Sequence, residues 1–146
     1  MTGNSVSAWA GGLAAVMFVA IAALHAYWAL GGIWPGQDKE SLARTVVGGR
    51  PMPGPSATWV VAALLLAAAL TVLAAGGLVA LPLPHRLLRG AALLATGLLW
   101  LRGLVGFFDF RIRPATVGSP FARLNLYLYS PLCLVLGLLT YLAVSR

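Results

Sequence analysis

Few side chains in this sequence can carry chemistry, and they collect in three short stretches. The first is His25-Ala26-Tyr27-Trp28, with His25 and Trp28 three apart on one helix face. The second runs from Arg102 through Gly106 to Asp109, at offsets of four and seven that again share a face. The third is Asn125 through Tyr129 to Ser130, Pro131 and Cys133. An imidazole can give or take a proton near neutral pH, and a carboxylate or amide can hold the ring in place. His25 and Asp109 are therefore the candidate catalytic residues: His25 as acid or base, with Asp109 or Asn125 orienting it, on an amphipathic substrate. Whether the protein is an enzyme stays open. The same chemistry suits binding, and His25, Trp28, Arg102, Asp109, Asn125, Tyr129 and Ser130 are expected to border one polar, aromatic-lined pocket. Ser130 and His25 form a nucleophile and base only if the fold brings them into contact.

Each residue also has a plain structural reading. Trp28, Trp34, Trp59, Tyr27, Tyr127 and Tyr129 lie where aromatic belts form at a membrane interface. His25 can simply hydrogen-bond a neighbouring helix. Asp109 can pair with Arg113 one turn on, or with Arg111. Arg102 is the costliest residue, at ~2.5–3.5 kcal/mol for an arginine at a membrane centre. It is expected to point into the bundle, its side chain leaning toward the helix N-terminus. A partner there is Asn125, His25 or a bound anion. Together these groups pack either around a pocket or as a dry hydrogen-bonded plug.

Other chemistries are excluded. Cys133 is the single cysteine, so no intrachain disulfide or thiolate cluster can form. His25 and His85 fall at opposite membrane faces, ~30 Å apart, so one chain cannot clamp a haem between them. No apolar stretch carries a pair of carboxylates, and there is no phosphate loop, nucleophile elbow or metalloprotease motif. Neither a metal nor a cofactor is expected.

The elements that position these residues follow from composition. The 146 residues are 60% hydrophobic and 9% charged, with a mean hydropathy of +0.91. Soluble domains carry about 25% charged residues, so lipid must be the main solvent here. The fold class expected is all-α, an integral membrane four-helix bundle forming one domain over residues 1–146. The helices are expected at about 6–30, 57–81, 87–108 and 124–144. The first is read as a retained helix, since it lacks the basic start of a signal peptide.

Both termini and the turn Leu81–Arg86 then share one face, side A. The segments Gly31–Ser56 and Asp109–Arg123 share side B, toward which all the chemistry-bearing residues lie. On side B a short interfacial helix is expected, with Asp38 as cap, Leu42, Val46 and Val47 toward lipid, and Gly48-Gly49 as stop. Arg50-Pro51-Met52-Pro53-Gly54-Pro55 reads as a stiff extended strap. Ser130-Pro131 is expected to kink the last helix. The many glycines, Gly76, Gly77, Gly103 and Gly106 among them, are read as close-packing positions.

Net charge is +7, but the basic residues sit between apolar runs, which speaks against nucleic acid. Side B carries Lys39, Arg44, Arg50, Arg111, Arg113 and Arg123, against Arg86, Arg89 and Arg146 on side A. That bias places side B in the cytoplasm and both termini outside. The partners expected are the lipid bilayer, a small amphipathic ligand, and a membrane-protein partner or second copy.

As a set, His25 through Pro35, Arg102-Gly103 and Phe121 through Cys133 resemble the bacterial membrane-protein family catalogued as domain of unknown function 3995, over essentially the whole chain. The resemblance implies a four-helix protein of the bacterial inner membrane and carries no activity with it. Besides binding and catalysis, a role as accessory subunit of a larger membrane complex fits the same features.

Overall fold

Alanine and leucine runs without internal charge can satisfy their backbone in lipid only as helices, and helices are what the chain forms. The computed structural model describes residues 3–49 and 51–145; Arg50 and Arg146, counted above for charge, lie outside them. The helices are α1 (Gly3–Ala29), α2 (Lys39–Val46), α3 (Pro55–Ala75), α4 (His85–Phe107), the single turn α5 (Asp109–Ile112) and α6 (Pro120–Val144). Four of them, α1, α3, α4 and α6, are long and apolar enough to cross a membrane. The chain is thus an all-α, multi-pass membrane protein. Around the bundle α1 packs on α3 and α6, and α4 on α6 and α3.

Local sequence explains the ends, and two differ from expectation. The second expected span, α3, stops at Ala75, short of Leu81. Gly77 adopts φ +74, open to glycine, and Leu78 N–H returns to the Leu73 carbonyl at 2.8 Å, closing a Schellman-type end. Gly76-Gly77 therefore terminate α3 rather than pack it. The last helix begins at Pro120, four residues before Leu124, because Ser119 Oγ caps the Ala122 N–H at 3.2 Å and Pro120 suits the first helical position.

Where a kink at Pro131 was expected, α6 instead opens into a π-helical turn over Asn125–Tyr129. Ser130 N–H there donates to the Asn125 carbonyl five residues back, just before the proline that has no N–H.

The interfacial helix α2 is capped by Asp38, whose Oδ1 accepts Ser41 N–H at 2.7 Å and whose carboxyl is thereby held below its ordinary range. Gly48 and Gly49, at φ +76 and +85, follow its end. Leu42 departs from expectation: it is buried against protein, since α2 lies on the start of α6.

The apolar core occupies the side-A half. Ala14, Phe18, Val72, Ala92, Leu136 and Ala143 interlock there from all four spans. In the side-B half Asn125 and Ser130 are instead among the most buried side chains.

Candidate functional site

α4 and α6 approach closely because glycine lines their contact. A Cβ on Gly103 would come within 2.7–2.8 Å of Leu134 and 3.0 Å of the Ser130 carbonyl. One on Gly106 would overlap the Ser130 hydroxyl and reach Arg102 Nη1 at 2.7 Å. In this notch Arg102 Nη2 donates to Asn125 Oδ1 at 2.9 Å, and Asn125 Nδ2 donates to the Gly106 carbonyl at 2.9 Å. Ser130 Oγ donates weakly to the same Oδ1 at 3.4 Å. Asn125 is 1% exposed and Ser130 0%, and among the described residues no buried side-chain nitrogen or oxygen lacks a partner. The π-turn matters locally: it begins at Asn125 and delivers Ser130 beneath it.

Arg102 itself is exposed, although it lies five residues inside the end of α4, ~7.5 Å at the helical rise. Its guanidinium runs over Gly106, one turn on, toward side B. The expected lean toward the N-terminus is overturned by the space that the absent Cβ leaves. Only one arm reaches into the bundle.

Asp109 belongs to a second group. Its Oδ1 accepts Arg113 Nη2 at 2.7 Å and Nε at 2.8 Å, and its Oδ2 accepts the Thr116 hydroxyl at 3.1 Å. Arg113 also donates to the Val47 carbonyl at 3.4 Å and sits 4.6 Å from the Phe121 ring centroid. Tyr129 joins here: its ring tilts on Phe121 at 6.2 Å, and its hydroxyl reaches the Thr45 carbonyl at 3.5 Å. This group fastens the two side-B segments together through α2.

His25 and Trp28 make a third group on α1. His25 Nδ1 lies 2.8 Å from the Ile21 carbonyl, so that nitrogen carries the proton, and the ring meets Trp28 edge-on at 5.1 Å. Trp28 Nε1 donates to the Trp34 carbonyl at 2.7 Å. The partner of His25 is thus within its own helix. No hydrogen bond joins His25 to Asp109, Asn125 or Ser130 among the described residues, and these three are engaged elsewhere.

The seven candidates therefore fall into three groups. A cleft of about 140 Å³ beside the notch takes in Gly106, Asp109 and Asn125, walled by Phe107, Phe110 and Leu126; the other five candidates do not line it. A larger apolar groove of about 600 Å³ lies near side A between Trp9, Leu13, Val16 and Leu139. Thr116 and Thr45 went unnoticed in the sequence, and Phe121 was noted there only as part of the segment that opens the last helix. Thr116 could have been found from its spacing, seven from Asp109 and three from Arg113, but the reach of Tyr129 to Thr45 spans 84 residues and has no local signal.

A family model described as "Protein of unknown function (DUF3995)" matches residues 18–140, and the chain belongs to that family. No curated protein and no solved structure matches it.

Proposed function

We propose that this member of the family holds a small amphipathic molecule or lipid at the side-B end of the α4–α6 contact. The observation that carries the reading is Arg102: an exposed guanidinium inside a membrane span, bonded by a single arm to a buried asparagine. Around it the exposed Leu98, Leu101 and Val105 offer apolar surface. A few oriented polar groups on an apolar wall are what an amphiphile's head and body require. Gentle purification followed by mass spectrometry tests it. An amphiphile retained by the wild type and lost from Arg102→Gln is expected; identical small-molecule content in both proteins would remove the reading.

We place side B in the cytoplasm on the strength of the six-to-three bias in Lys and Arg, and take the membrane to be the bacterial inner membrane from the family resemblance alone. With Cys133 replaced by serine, single cysteines at residues 3 and 84 are expected to label from outside only. Labelling from opposite faces would overturn the four-span topology, and labelling of both from the cytoplasm would reverse the orientation.

A further inference from the structure

We infer that the amphiphile at Arg102 bears a net negative oxyanion headgroup, a phosphate diester or carboxylate, received in the fork of this guanidinium; this rests on the binding reading above. The chain has three acidic residues in all, and each is engaged elsewhere. Asp38 caps α2, Glu40 lies 3.5 Å from Arg44, and Asp109 is shared by Arg113 and Thr116. Among the described residues Arg102 meets no carboxylate. Its one hydrogen-bond partner among the described residues, the Asn125 amide oxygen, is a dipole and leaves the full positive charge in place. Of the other basic residues without an acid partner among the described residues, Arg86 and Arg89 lie exposed in the first five residues of α4, Arg123 lies at the entry of α6 and Arg111 lies outside the spans, all near a membrane face where water can solvate them. Arg102 lies within a span, where a cation is expensive. Its counter-charge must come from outside the chain.

Geometry narrows the source. The guanidinium is turned toward side B over Gly106, which carries it toward headgroup depth, and Arg102 is exposed at the α4–α6 contact. Asn125 takes one Nη2 donor, leaving four N–H groups of a planar fork that matches two oxygens of one anion. Asn125 is itself fixed by the Gly106 carbonyl and Ser130, so the fork is held in one orientation before any ligand arrives. An anion in water would have to shed its hydration to enter an apolar rim. An amphiphile brings its charge in on an apolar body, from the membrane plane.

The test uses the full-length protein in neutral detergent, with native mass spectrometry reading apparent Kd. The probes are phosphatidylglycerol, its uncharged counterpart diacylglycerol, palmitate, and inorganic phosphate as competitor. The wild type is expected to bind phosphatidylglycerol and palmitate at least about tenfold more tightly than diacylglycerol. Arg102→Gln should bring that ratio close to one, while Arg111→Gln leaves it intact. Arg102→Lys keeps charge and bulk but loses the fork, and should retain part of the preference even if the glutamine variant does not fold. A wild-type ratio near one, with both lipids lost in Arg102→Gln, overturns the anionic headgroup and leaves amphiphile binding standing. Lipid binding indifferent to Arg102 overturns both. Displacement by millimolar inorganic phosphate overturns the membrane origin of the anion.

Discussion

Arg102 and Arg113 use the same side chain in opposite ways. Arg113 lies just outside the span, and its charge is cancelled by Asp109 one turn earlier through two short contacts. Its remaining surface is spent on the Val47 carbonyl and the Phe121 ring. Arg102 lies inside the span, where opposite charge would matter most, and has an amide oxygen instead. One arginine is closed within the protein and ties two segments together. The other is oriented and left charged. A guanidinium held in place by neutral partners keeps its affinity for an anion, and one saturated by a carboxylate does not.

If that contrast holds, substitutions in the two groups should differ in size. The largest effect is expected for Asp109→Ala. Breaking a buried pair costs about 3–5 kcal/mol, and at side-chain exposures of 27% and 13% this pair is close to that regime, so a loss of roughly 2–4 kcal/mol is expected. Denaturation in mixed micelles measures it, and probes on α2 should gain accessibility together with the loss. A change under about 0.5 kcal/mol, the scale of an exposed pair, would mean that Arg113 does not bind the side-B segments together.

The notch is tested next. Gly103→Ala must displace Leu134 or the Ser130 backbone and should cost about 1–3 kcal/mol, as overpacking does. Gly97→Ala, with no atom within 4 Å of the new methyl, should be neutral or stabilise by up to about 1 kcal/mol. Equal effects from the two would show that α4 and α6 are not held at glycine contact.

The smallest effect is expected for Arg102→Leu in lipid-free neutral detergent. It removes one hydrogen bond, worth ~0.6 kcal/mol on average in membrane proteins, and also removes a charge that the chain does not neutralise. Stability should therefore move by under about 1 kcal/mol in either direction, while anionic-lipid binding is lost. A drop as large as that of Asp109→Ala would put Arg102 on the same structural footing as Arg113 and erase the comparison.

The four spans were legible in the sequence because each rests on a local property: some twenty apolar residues, a bounding proline or glycine, and no charge beyond the first five residues except Arg102. The Asp38 cap and the Asp109–Arg113 pair were legible for the same reason, both lying within one turn. The end of α3 at Gly76-Gly77 carried its signal too, though glycine there reads equally as a packing residue until the positive φ of Gly77 is seen. That the costly groups gather toward side B also follows from sequence, since position along a membrane helix fixes depth.

Azimuth around each helix, and hence which groups meet, was decided only in three dimensions. Arg102 finds Asn125 across 23 residues because glycines on α4 let α6 approach, and a π-turn advances the register of α6 at the point of contact. His25 lies toward the same membrane face yet belongs to another group, its proton taken by its own helix at Ile21. Depth is a property of distance along the chain. Partnership depends on how neighbouring helices rotate and how closely they pack, and that is settled by shape over contacts far apart in sequence.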